Sequence, residues 1–155
     1  ALLADVDGDG DLDLLLSNIA LFTDGAHPQD RLLLNDGTGT FTDVTASHLP
    51  AEDIGTMWSA LIDLDGDGTP DRLAGNMGDL RGRTADEPLR AYRNDGTGRF
   101  TGMDDALPSS ATGNVFAIVV ADFDGDGRDD VFLASRGGLD RLLLRAESVA
   151  NCPAR

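Results

Sequence analysis

The sequence predicts an all-β fold in which four-stranded antiparallel sheets repeat along the chain as blades of a β-propeller, with under three blades present. Three observations carry that expectation. An acidic nine-residue motif occurs three times, as DVDGDGDLD from Asp5, DLDGDGTPD from Asp63 and DFDGDGRDD from Asp122, a period of 58 to 59 residues. A second marker, NDGTGTF from Asn35 and NDGTGRF from Asn94, recurs with the same period. Apolar runs of strand length flank both markers. Self-similarity at a fixed period of this order marks propellers, solenoids or arrays.

Each unit opens with an apolar run, Ala1 to Ala4, Ser59 to Ile62 and Phe116 to Ala121, that leads into the acidic motif. A second run leaves it: Leu12 to Leu16, Arg72 to Ala74 and Val131 to Ala134. These lengths suit buried strands rather than helices. A third strand follows as RLLLN (Arg31 to Asn35), RAYRN (Arg90 to Asn94) and RLLLR (Arg141 to Arg145). The Asp-Gly pair after Asn35 and Asn94 signals a hairpin, and FTDVT (Phe41 to Thr45) or FTGM (Phe100 to Met103) supplies a fourth strand. Four antiparallel strands make a propeller blade. The blades run over about 1–57, 58–115 and 116–145, and a polar tail, 146–155, carries no NDGTG turn. Closed propellers need about four to eight blades, so the expectation is a portion of a larger ring or one partner of an assembly.

Composition narrows the function classes. The 155 residues fit one domain. With 28 acidic against 12 basic residues, the net charge is -16, which argues against a nucleic-acid partner or an anionic membrane surface. A hydrophobic content of 41% still implies a packed core rather than a disordered acidic tail. No apolar run reaches membrane-spanning length and no targeting segment is visible, so membrane insertion is not expected. Cys152 has no partner within the chain; a bridge to a cysteine elsewhere and an unpaired thiol are both open.

The acidic motifs read as metal loops. Numbered from the first Asp, carboxylates fall at positions 1, 3, 5 and 9: Asp5, Asp7, Asp9 and Asp13; Asp63, Asp65, Asp67 and Asp71; Asp122, Asp124, Asp126 and Asp130. Position 7 varies, as Asp11, Thr69 and Arg128, which is expected if only its carbonyl coordinates. Gly at positions 4 and 6 permits the sharp turns that aim successive oxygens at one point. Hard oxygen donors at this density suit Ca²⁺, which takes about 6 to 8 of them, and three loops imply about three ions per chain. Together they hold half of the acidic residues. The EF-hand shares the DxDxDG opening, but its Glu at position 12 is absent: Leu16, Ala74 and Leu133 stand there.

These motifs together resemble the FG-GAP/VCBS repeat, the calcium-binding blade of integrin α-subunit propellers and of many bacterial surface proteins. The resemblance covers Asp5 to about Arg145, and RLLLNDGTGTFTDVT is similar to the bacterial form. The Gly-Ala-Pro element of the integrin form is replaced by LLLSN, RLAGN and VFLASR. The resemblance implies a calcium loop between a blade's first two strands and a non-catalytic role in extracellular adhesion or scaffolding. It implies nothing about the ligand.

Antiparallel strands place the acidic loops and NDGTG turns at one end of the blades. The longer, more varied loops at the other end are where binding specificity usually resides, for a protein or glycan ligand; the remaining blades of a longer chain, or other subunits, are the further partners expected. Candidates there are Arg81 and Arg83, suited to a carboxylate or phosphate, His27 and His48, and Trp58, whose apolar bulk also suits packing between blades. No HExxH, GxSxG or Cys/His pair indicates an enzyme. A glycosidase needs two opposed free carboxyls, and Asp79, Asp86, Glu87, Asp104 and Asp105 have no distinguishing context. A sugar-binding propeller, or an accessory domain of a larger secreted enzyme, is the alternative. Calcium sites of modest affinity fill in extracellular fluid, so a secreted or surface location is expected.

Overall fold

The computed structural model describes residues 1–19, 28–53, 55–76, 88–103, 105–136 and 138–145. Over these, the chain forms three antiparallel sheets. The first joins β1 (Leu2–Ala4), β2 (Asp13–Leu16), β3 (Arg31–Asn35) and β4 (Phe41–Asp43); the second joins β5 (Trp58–Ile62), β6 (Asp71–Gly75), β7 (Arg90–Asn94) and β8 (Phe100–Gly102). The third holds β9 (Val115–Ala121), β10 (Asp130–Ser135) and β11 (Arg141–Leu143). Every sheet is an antiparallel meander of consecutive strands. The fold is all-β, in blade-like sheets that do not close into a barrel.

Two local features depart from the sequence-based expectation. The strand predicted through Thr45 ends at Asp43, because the Asp43 carboxylate accepts the Thr45 amide at 3.1 Å and its hydroxyl at 2.6 Å. That local bond competes with the ladder and starts α1 (Thr45–His48), the only helix among the described residues. The hairpin after Asn35 is also wider than an Asp-Gly pair implies, since Asn35 pairs with Phe41 across five loop residues. The Asn35 side-chain oxygen accepts the amides of Gly37 and Gly39 at 3.2 and 3.1 Å, and Asn94 does the same for Gly96 and Gly98.

Alternation along the strands sends side chains to two cores, one on each face of the second sheet. Tyr92, Ala74 and Phe100 pack against Val6, Leu15 and Leu32 of the first sheet. Ala60, Ile62 and Leu73 pack against Val115, Ile118 and Leu133 of the third. At the second junction β6 and β9 approach so closely that a side chain at Gly75 would meet Val115 at 2.6 Å. The first junction also contains a buried ion pair, Arg72 with Asp30. Ser59 bonds the Arg72 guanidinium at 3.1 and 3.3 Å, Thr56 bonds Asp30 at 2.7 Å, and the guanidinium lies 5.3 Å from the Tyr92 ring.

Candidate functional site

Each acidic loop connects the first two strands of its sheet and is shaped by the same hydrogen bonds. The position-1 carboxylates of Asp5, Asp63 and Asp122 accept the amides of both loop glycines, at 2.6–2.7 Å for the first and 2.9–3.0 Å for the second. Those glycines have φ between 79° and 94°, a region that side-chain-bearing residues rarely occupy. The position-9 carboxylates of Asp13, Asp71 and Asp130 are almost wholly buried. One oxygen of each accepts the amide at position 2 (Val6, Leu64 or Phe123) at 2.9 Å. The other accepts the amide closing the third strand, Asn35, Asn94 or Arg145, at 2.7–2.9 Å.

This framework brings three carboxylates together in every loop. Asp5, Asp7 and Asp13 each present an oxygen within 4.8 Å of the others, as do Asp63, Asp65 and Asp71, and Asp122, Asp124 and Asp130. A carboxylate oxygen that already accepts an amide keeps a second lone pair, so each cluster could hold a metal ion. Crowding leaves its mark on the protonation equilibria. Burial first, then the carboxylates of Asp13, Asp9 and Asp5, hold Asp7 above the ordinary carboxylate range, against the pull of the Asp9 amide. Asp71 is likewise raised, by burial ahead of the Asp65 charge and against the amides of Asn94 and Leu64.

Position 5 stands apart. Asp9, Asp67 and Asp126 lie outside the three clusters, and each accepts the amide of position 7 at 2.9 Å. The position-7 side chains of Thr69 and Arg128 fold back onto Asp67 and Asp126, both at 2.5 Å; the Thr69 hydroxyl, then its amide, lower the Asp67 carboxyl, and the Arg128 amide, then its guanidinium, lower that of Asp126. Asp11 at the same place in the first loop gives only its amide, to Asp9. The second loop carries a further cation that the motif does not announce: Arg93 meets Asp65 at 2.8 Å and Asp67 at 3.2 Å. Its counterparts in the other repeats are Leu34 and Leu144, and that contrast within the third strand is the signal for it.

Of the residues expected at the other end of the sheets, His27, Arg81 and Arg83 lie outside the described residues, as do Asp79, Asp86, Glu87 and Asp104. Asp105 is exposed. His48 closes α1, its ring nitrogen 2.8 Å from the Ser47 hydroxyl, and joins no group of metal-ligating side chains among the described residues. Trp58 opens β5 and remains 44% exposed in a small pocket beside Leu2 and Met57, so it does not serve as core. The same end has a cleft of about 320 Å³ lined by Glu52, Leu89, Arg90, Tyr92, Met103 and Leu107. Within it Glu52 pairs with Arg90 and accepts the Tyr92 hydroxyl at 2.7 Å. These polar residues belong to no repeated motif, and strand-length patterning alone read Arg90 and Tyr92 as ordinary strand positions.

Repeated antiparallel sheets, each with an acidic loop between its first two strands, define a repeat protein of the β-propeller type. The chain matches the model of the FG-GAP-like repeat over residues 5–74 and 78–133, and it belongs to that family. No curated protein sequence matches it. Among the described residues no helix is long and apolar enough to cross a membrane.

Proposed function

We propose that the chain is a non-catalytic, calcium-stabilised propeller module that makes extracellular contacts, in adhesion or scaffolding, through the loop end opposite its acidic loops. The observation that carries this reading is the threefold recurrence of a three-carboxylate cluster built on the same hydrogen-bond frame. Hard oxygen donors favour Ca²⁺ over softer transition metals. Asp5, Asp7 and Asp13 and their counterparts in the other loops would hold it, and the ion would supply the positive charge that like-charged neighbours lack. Main-chain oxygens, including those of Asp11, Thr69 and Arg128, would complete the shell. The acidic loops are regular from repeat to repeat, whereas the opposite end carries the irregular cleft and Trp58, which supports contact with a partner there. Sites of this kind fill at extracellular calcium levels, in keeping with a secreted or surface protein.

Calorimetric titration of demetallated protein should give three calcium sites, and chelation should lower the melting temperature. Fewer than two sites, or identical melting with and without calcium, would overturn the reading. A lectin-like propeller is the second reading, favoured by the juxtaposition of Tyr92, Arg90 and Glu52 in one cleft, since sugars are held by aromatic and polar groups together. A glycan array probed with calcium-loaded protein separates the two, because the adhesion reading predicts no glycan signal that Tyr92→Ala abolishes. An accessory role beside a secreted catalytic domain would show as binding to that enzyme's polymeric substrate without turnover.

A further inference from the structure

The three acidic loops are joined to one another by an unbroken run of hydrogen bonds. It starts at Asp13, position 9 of the first loop, whose carboxylate accepts the Val6 amide at 2.9 Å. The Val6 carbonyl accepts the Asn94 side-chain amide at 2.8 Å, and the Asn94 main-chain amide donates to Asp71, position 9 of the second loop, at 2.8 Å. Asp71 in turn accepts the Leu64 amide at 2.9 Å, and the Leu64 carbonyl accepts the Arg145 guanidinium at 3.0 Å. The Arg145 main-chain amide donates to Asp130, position 9 of the third loop, at 2.7 Å.

Asn94 and Arg145 therefore each hold two loops: the main chain clasps the carboxylate of its own repeat, and the side chain clasps a carbonyl of the repeat before. That carbonyl belongs to position 2, between the aspartates of positions 1 and 3 that supply two of the three cluster oxygens. Asp5 and Asp7 flank Val6, and Asp63 and Asp65 flank Leu64. Arg145 grips the peptides on both sides of Leu64, since it also donates to the Asp63 carbonyl at 2.7 Å. Asn94 is wholly buried, so its link to Val6 is shielded from competition with solvent.

We infer that the three loops fill with calcium cooperatively, coupled through Asn94 and Arg145. The inference rests on the calcium reading above and adds communication between the sites. In an empty loop, carboxylates that approach within 4.8 Å repel one another and favour an open arrangement, and filling selects the closed one. Closing the second loop fixes Asp71, through it Asn94, and through Asn94 the Val6 carbonyl between Asp5 and Asp7. Part of the freedom that the first loop must give up on binding is then already lost, which favours binding there. Arg145 links the third loop to the second in the same way, and linkage makes each effect reciprocal. Independent loops in a shared acidic field give the opposite sign, because each bound cation weakens the attraction for the next.

Heteronuclear NMR of the chain in chelator-buffered calcium tests it, because the amides of Gly8, Gly66 and Gly125, each held by a position-1 carboxylate, report on the three sites separately. Asp65→Ala disables the second site, and the first and third should then bind calcium at least about fivefold more weakly than in the unaltered chain. Arg145→Ala keeps the amide on Asp130 and removes the guanidinium clasp. In that background Asp65→Ala should no longer weaken the third site, while it still weakens the first; comparing the ratios cancels the charge of Arg145 itself. Unchanged or tighter binding at the first and third sites in Asp65→Ala, or a third site as sensitive to Asp65→Ala without the guanidinium as with it, would overturn the proposal and leave the calcium reading standing. Glycine amides that do not respond to calcium in the unaltered chain would overturn both. Should Arg145→Ala lose its cooperative melt, Arg145→Met carries the same comparison.

Discussion

Asp13, Asp71 and Asp130 differ from the other loop aspartates because each is almost wholly buried and both its oxygens accept main-chain amides that are themselves buried or partly buried. Asp71→Ala leaves two such donors unsatisfied and should cost roughly 2 to 4 kcal/mol, in chelator as well as in calcium. Asp65→Ala removes a cluster oxygen and releases only the Asp67 amide, which is exposed and can bond water; its loss of stability should appear in calcium and largely vanish in chelator. Thermal melts of both variants under both conditions check the distinction. Arg93 offers the second loop a resident cation, so the second site should be weaker than the first. Arg93→Leu, which restores the residue type of the other repeats, should tighten it about two- to fivefold by calorimetry, the strength of an exposed ion pair. Asp43 predicts a pH effect. The Thr45 hydroxyl, then Arg31, lower its carboxyl from 3.8 to about 2. A folded-state value below the unfolded one stabilises above about pH 4 and is lost as pH falls toward 2. Carboxyl NMR should place its midpoint near 2, and Thr45→Val should move that midpoint upward.

Strands were legible because each is an apolar run bounded by Asp, Gly or Asn, and the predicted and observed elements differ by a residue or two at most ends. The break at Asp43 was not, since FTDVT has good strand composition and only the geometry of the Asp43 side chain ends it. The clustering of positions 1, 3 and 9 follows a pattern visible in the motif; the turning of Asp9, Asp67 and Asp126 toward position 7 depends on loop backbone that spacing does not specify. Nor could pattern reveal the Arg72–Asp30 pair, because Leu14 and Val131 occupy the place of Arg72 in the other repeats. Removing one partner leaves a buried charge: Asp30→Ala should cost about 3 to 5 kcal/mol. The double change Asp30→Asn with Arg72→Leu should cost much less in the same denaturant titration. Likewise Phe100→Ala should cost about 3 to 5 kcal/mol, whereas Phe41→Ala, at an exposed position, should leave stability nearly unchanged.

Across the whole chain, a net charge of -16 is concentrated at the ends of hairpins rather than spread evenly. Calcium should therefore raise the melting temperature far more than sodium chloride at matched ionic strength, which screens the loops without entering them; equal effects in differential scanning calorimetry would argue for simple screening. The tie between consecutive sheets has another consequence. Asn94 reaches one carbonyl of the first acidic loop, whereas Arg145, in the equivalent place, reaches two carbonyls of the second, those of Asp63 and Leu64, at 2.7 and 3.0 Å. The clasp on the position-9 aspartate uses only the main-chain amide there, so the side chain is free to differ between repeats. Tandem units of similar sequence are prone to pairing with the wrong neighbour as they fold. A long cation at one junction and a short amide at the other give each sheet a distinct mate, so that this variation works as an address, directing the order of assembly in a chain whose repeats otherwise look alike.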